Sequence, residues 1–273
     1  MSGSKQDRRG APPPPEPLPV HALDSHCHVD HMGVLMPQVL AEAAAVGITR
    51  IVQVGTDVQS SVWSAAQAAE YDAVLAAVAV HPNEAARGGA GPWQLAEIDR
   101  LAAQPRVRAV GETGLDHFRT GADGHAAQEA AFRAHIDIAK RHARALVIHD
   151  RDAHDDVLRV LAEEGAPEHT VLHCFSGDET MARTCVDRGY VLSFAGTVTF
   201  ANAEPLRAAA RFVPLDQLLV ETDAPFLTPM PFRGRPNAPY LVPLTLRALA
   251  KVKQVPVDEL CAAVTATGRR VFG

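Results

Sequence analysis

Apolar residues along this chain come in two alternating rhythms. Short runs rich in Val, Ile and Leu read as strands at 22–27, 49–55, 74–80, 107–111, 145–148, 170–173, 190–194 and 218–221. Ala-rich stretches with apolar residues at helical spacing fall between them, at 36–46, 58–71, 92–103, 126–143, 153–164, 179–188 and 204–211. Two more, 243–253 and 257–270, close the chain. Marker residues just past the strands are His28, Thr56, His81, Glu112, His149, His173, Thr197 and Asp223. They recur at intervals of 24 to 37 residues, about the length of one strand-plus-helix unit. Eight such units predict a single (β/α)8 TIM-type barrel, with an open doubly wound sheet as the rival.

The first twenty residues break the rhythm. MSGSKQDRRGAPPPPEPLPV has no apolar core segment, and its prolines favour extended, solvated chain. Residues 1–20 are therefore expected to be a disordered Pro-rich tail, and residues 21–273 the barrel domain. Deleting such a tail is expected to leave the fold unchanged.

Chemistry concentrates where a barrel keeps it, at the C-terminal ends of strands. His26 and His28 close the first strand, and a spacing of two puts both on one face. Glu112, His149, His173 and Asp223 close the fourth, fifth, sixth and eighth. Each alone has a bland reading as a packed or loop residue. Five strand ends out of eight supplying imidazole or carboxylate do not. Together they suit divalent metal ions, and six groups exceed the four of a closed structural zinc site. Two adjacent ions with Glu112 between them fit the count. Mg²⁺, Mn²⁺ and Zn²⁺ are the candidates. Such a pair can activate a water and clamp attacking and leaving oxygens.

Charge and cysteine content narrow the setting. With 26 Lys plus Arg against 32 Asp plus Glu, the net charge is −6, which argues against coating nucleic acid by bulk charge. A local basic mouth remains open: Arg119, Arg151, Arg233 and Arg235 follow strand ends or lie in the last loop, and guanidinium forks suit phosphate. His81, at the end of strand three, is a further candidate for substrate contact. Asn237 and Tyr240 are pocket candidates, and Phe226 offers a face for stacking or for the core. The remaining histidines, His135 among them, read as tail, loop or helix surface. The four cysteines form no C-x-x-C pair and read as reduced thiols of a cytoplasmic protein. No apolar run is long enough for a membrane span.

The motifs DSHCH (24–28), GETGLD (111–116), IHDRDA (148–153), HCFSG (173–177), ETDAPFLTP (221–229) and RGRPNAP (233–239) resemble those of the TatD-like metal-dependent deoxyribonucleases, a branch of the amidohydrolase-like metallo-hydrolases. The likeness runs from about Ala22 to Gly273. It implies the same barrel and a hydrolase of DNA phosphodiesters, with metal ligands His26, His28, Glu112, His149, His173 and Asp223. It implies that Glu112 bridges two ions and that Asp223 is both ligand and proton acceptor. The family often has Tyr directly after GLD; His117 and Phe118 stand here, which leaves the substrate mouth open to question. The expected activity is exonuclease action on DNA, single-stranded or at strand ends, by a monomer. Rival readings are an amide or ester hydrolase, such as an aminoacyl-tRNA deacylase, and a non-catalytic metal scaffold. A glutamate rather than a carboxylated lysine on strand four favours the nuclease branch.

Overall fold

A computed structural model describes residues 10–273. Eight parallel strands run in sequence order around a nearly closed barrel: β1 Ala22–Cys27, β2 Ile48–Val54, β3 Val74–Val78, β4 Val107–Asp116, β5 Ala145–Arg151, β6 Thr170–Leu172, β7 Val191–Phe194 and β8 Leu218–Val220. The helices are α1 Met36–Ala45, α2 Val58–Glu70, α3 Pro82–Ala86, α4 Pro92–Ala102, α5 Ala122–Arg141, α6 His154–Glu164, α7 Glu179–Asp187, α8 Glu204–Phe212, α9 Val242–Lys253 and α10 Val257–Phe272. The expected (β/α)8 architecture is therefore what the chain adopts. Among the described residues the one unforeseen helix is α3, where Pro82 supplies a fixed φ at the first turn and the His81 ring accepts the Asn83 N–H. None of the described helices is long and apolar enough to cross a membrane.

Alternation along each strand builds two cores. Leu23, Val52, Leu75, Ala109, Val147 and Leu219 fill the barrel interior, with Phe272 of α10 below them. Ile51, Val74, Val110, Leu146 and Ile148 point outward against the helices. Plain alternation from Leu23 and Ala109 would turn His26, His28 and Glu112 away from the interior. The register shifts between Asp24 and Cys27 in β1, and again between Val110 and Thr113 in β4. These two irregularities re-aim all three side chains inward. Past its shift β4 runs on to Asp116, five residues beyond the expected end, because Thr113–Asp116 pair with Ile148–Arg151. Gly114 makes that pairing possible: its φ is +136°, and a Cβ there would strike the His149 carbonyl.

The seam between β8 and β1 has no full ladder. An isolated bridge joins Cys27 to Ala224. Asp223 N–H donates to the His26 carbonyl (3.0 Å), and His28 N–H to the Ala224 carbonyl (2.7 Å). Just below, the buried Asp24 carboxylate accepts from the Thr222 N–H (2.9 Å) and the Thr222 hydroxyl (2.5 Å). Below the seam α10 packs close to β1: a Cβ on Gly268 would stand 2.6 Å from Leu23 Cδ1.

Residues 10–20 depart from the expected disorder. They have no regular structure, but Pro12 and Leu18 are buried. Arg235 donates to the carbonyls of Gly10 (3.0 Å) and Ala11 (2.7 Å), Tyr240 to Pro12 (2.6 Å), and Arg247 to Glu16 and Pro17. Leu18 N–H donates to Val46. Proline removes donors and leaves carbonyls, so an extended proline-rich strip is a row of acceptors for neighbouring cations. Residues 1–9 of the expected tail lie outside the described residues.

Two outcomes follow. Removing residues 1–20 should lower the melting temperature by about 2–8 °C, through lost burial of Leu18 and the strap's hydrogen bonds; calorimetry on the truncated protein checks this. Asp24→Ala leaves two Thr222 donors buried without a partner and should cost about 2–4 kcal/mol in urea unfolding.

Candidate metal centre

The six groups singled out from the strand ends converge at the C-terminal mouth of the barrel. Glu112 is their hub. Its Oε2 lies 3.5 Å from Nε2 of both His26 and His28. Its Oε1 faces His149 Nδ1 (2.6 Å), His173 Nε2 (2.8 Å) and His81 Nε2 (3.5 Å). Asp223 Oδ1 stands 3.8 Å from His26 and 3.6 Å from His28. His26 stacks on His173 with ring centroids 3.9 Å apart.

Three overlapping clusters emerge, each with donor atoms within 4.8 Å of one another: His26, His28 and Asp223; His81, Glu112 and His149; and His26, His173 and Glu221. Imidazole with carboxylate is the donor chemistry of divalent transition metals, and the residues fit such ions on a further ground. His28 Nδ1 donates to the Val54 carbonyl (3.0 Å), which leaves Nε2 to face the cluster as a lone pair when the ring is neutral. His173 Nδ1 lies 3.2 Å from Glu221, and His149 Nε2 lies 3.2 Å from Asp116. Carboxylates behind ligand imidazoles orient them. Among the described residues, His26 Nδ1 and Glu221 Oε2 are buried without a hydrogen-bond partner.

Electrostatics are consistent with a site built for positive charge. Burial alone would raise Glu112, yet His173, His81 and His149 hold its carboxyl well below the usual range. Burial alone would lower His28, yet Asp223 and Glu112 carry it up to about 9. His173 is likewise raised against burial by Glu112 and Glu221, and His149 by Asp116 and Glu112. Without a cation, protons on these rings offset the carboxylates.

The substrate candidates divide. His81 joins the cluster; its Nδ1 accepts the Asn83 N–H at 3.0 Å, so its own proton sits on Nε2, toward Glu112. Arg151 closes β5 and lies over the exposed Phe118 ring, 4.1 Å from its centroid. Arg119 is exposed beside it. Arg233 is exposed over Phe200 (4.2 Å). Arg235 is turned away from the centre: its guanidinium is taken up by the carbonyls of Gly10 and Ala11. Asn237 and Tyr240 serve the fold instead of a pocket, Asn237 by tying Thr222 to Phe226 and Tyr240 by holding Pro12. His135 is buried, not on a helix surface; it bonds Thr113 Oγ1 (2.8 Å) and accepts from Val80 N–H. Glu221 and Asp116, the carboxylates behind His173 and His149, have no signal of their own in the sequence beyond their places in the ETDAPFLTP and GETGLD motifs.

Comparison with known proteins bears on this centre. The family profile described as "TatD related DNase" matches residues 23–273. The chain is 47% identical over 260 residues to a Mycobacterium tuberculosis protein named "Uncharacterized metal-dependent hydrolase TatD", covering 92% of this chain and 97% of that one. It is 39% identical to the Escherichia coli metal-dependent hydrolase YcfH, covering 92% and 95%. Among solved structures, YjjV, a TatD homologue from Escherichia coli, superposes with a TM-score of 0.85 at 28% identity, covering 92% and 97%.

Because His28 is raised to about 9, and His149 and His173 are raised as well, an entering cation displaces protons at neutral pH. Metal affinity should therefore rise with pH from 6 toward 9. At pH 7 the calorimetric enthalpy of binding should vary with the ionisation enthalpy of the buffer, in the sense of proton release.

Proposed function

On the premise that the chain belongs to the TatD-related DNase family and is a metal-dependent hydrolase, we propose that it hydrolyses DNA phosphodiester bonds at a binuclear metal centre. The observation that carries this reading is the shared carboxylate of Glu112, with His26 and His28 against its Oε2 and His149 and His173 against its Oε1. His26, His28 and Asp223 would hold one ion and His149 and His173 the other, with Glu112 common to both. When bound, the ions supply Lewis acidity to the phosphate and to a water.

The protein's own groups then have distinct tasks. Asp223 is the more accessible of the two carboxylates, its side chain 14% exposed against 5% for Glu112. It is held below the usual carboxylate range, chiefly by His28 against the opposing effect of burial, and so stands ionised and ready to take the proton of an attacking water. Glu112, surrounded by imidazoles, supplies charge and position. His81, with its proton on Nε2 and a side chain 15% exposed, can donate to a phosphate oxygen. Arg151 and Arg119, at the ends of β5 and β4, offer guanidinium contacts to flanking phosphates. In this reading the enzyme works as a monomer in the cytoplasm, removing nucleotides from single-stranded DNA or strand ends. The four cysteines are free thiols, which suits a reducing compartment.

The test is apo-protein reloaded with Mg²⁺, Mn²⁺ or Zn²⁺ and given end-labelled single-stranded DNA, RNA and an aminoacyl-tRNA. A ladder shortening one nucleotide at a time from DNA supports the reading; deacylation with intact DNA overturns it. Asp223→Asn should cut single-turnover cleavage by about 10²–10⁴-fold while leaving DNA affinity nearly intact. Glu112→Ala should bind fewer than two ions.

A further inference from the structure

Next to the metal centre, on the same face of the barrel, a groove of about 440 Å³ opens between the segment after β1 and the start of α2. Val29, Asp30, His31, Thr56, Asp57 and Trp63 are among its walls. Val29, the first of its wall residues, directly follows His28. The ring of His28 stacks on that of His31 at 5.7 Å, and the Phe226 ring lies 6.4 Å from each. His31 and Phe226 are well exposed, at 45% and 52%, so the His31 ring, stacked on His28 and in T-shaped contact with Phe226, leads from a metal-facing imidazole to the groove.

The charge of the groove selects against phosphate. Among the described residues its walls hold two carboxylates and neither lysine nor arginine. A flat, uncharged ligand with N–H donors is what its walls complement. One acceptor is fixed in advance. Gln53, fully buried, takes the Val29 N–H on its Oε1 (2.7 Å) and donates to Asp30 Oδ1 (2.9 Å). The other oxygen of Asp30 faces His31 Nε2 at 3.4 Å. Asp57 is committed elsewhere, capping α2 through Ser60 N–H at 2.7 Å.

We propose that this groove is a nucleobase subsite. It receives the base of the nucleotide next to the scissile phosphodiester, with Trp63 and His31 as stacking surfaces and Asp30 accepting from an exocyclic amino group. A base with an amino group at the ring edge, such as cytosine, is favoured over thymine, whose carbonyl oxygen would face the carboxylate. This inference rests on the phosphodiesterase reading above and adds a base preference to it.

The metal-loaded enzyme is given oligonucleotides identical except for dC or dT at the end being degraded. Cleavage should be about 10-fold more efficient at dC, and Asp30→Asn should erase or invert that ratio. Trp63→Ala should lower kcat/KM at both ends by about 10-fold, mainly through KM, in line with the usual strength of base stacking, and Trp63→Phe should restore it. A second readout needs no turnover. The chain has two tryptophans, and Trp93 stands exposed at the start of α4. In a Trp93→Phe background, dCMP should quench the remaining Trp63 emission, more strongly than dTMP. Equal cleavage at dC and dT, or emission untouched by either mononucleotide, overturns the subsite. Loss of all oligonucleotide cleavage with dCMP still quenching would instead sink the nuclease reading and leave the base site standing.

Discussion

The barrel closes through a buried carboxylate. Between β8 and β1, where a full ladder is missing, Asp24 grips the Thr222 backbone and hydroxyl. Above that grip the backbones of His26 and Asp223 bond directly, as do those of His28 and Ala224. Three of the six candidate ligands are thus spaced by the same contacts that shut the sheet. Closure and assembly of half the centre are one event, so loosening the seam would scatter His26, His28 and Asp223 together.

The centre itself is a balance of like charges kept close. Glu112, Asp223, Glu221 and Asp116 would repel one another if they stood alone, and so would His26, His28, His149 and His173 if all were protonated. Interleaved, each imidazole faces a carboxylate. The arrangement tolerates protons or divalent ions as the neutralising charge. That interchange is what makes such a pocket reloadable.

The strand-end chemistry was legible because a parallel barrel converts sequence period into position: every unit delivers its last residues to one rim. The set of residues brought together at that rim was therefore visible in the order of motifs. The way they got there was not. Strict alternation from Leu23 and Ala109 points His26, His28 and Glu112 outward, and only the register shifts in β1 and β4 bring them in. A bulge depends on the neighbouring strand, so one strand's pattern does not reveal it. Long side chains were harder still. Arg235 looked like a phosphate ligand, but its length let it reach the Gly10 and Ala11 carbonyls. His135 read as helix surface because a helical pattern alone does not say that Thr113 and Val80 lie beneath it. Proline content suggested a free tail for residues 10–20, because composition counts missing donors and overlooks the acceptors that remain.

The strap over residues 10–20 gives the molecule two poles with different engineering value. Gly10 is held by Arg235, in the loop that carries the chain away from Asp223 and the mouth. The other terminus lies at the opposite end, where the Gly273 carbonyl accepts from Arg50 and the Phe272 carbonyl from Arg108, near the starts of β2 and β4. Cargo fused ahead of Gly10 would be attached beside the loop that follows β8, at the end of the barrel that carries the metal centre. A linker placed after Gly273 would anchor the enzyme by its base, with the catalytic rim facing the medium. For immobilisation on a bead or an electrode, the carboxyl terminus is the handle.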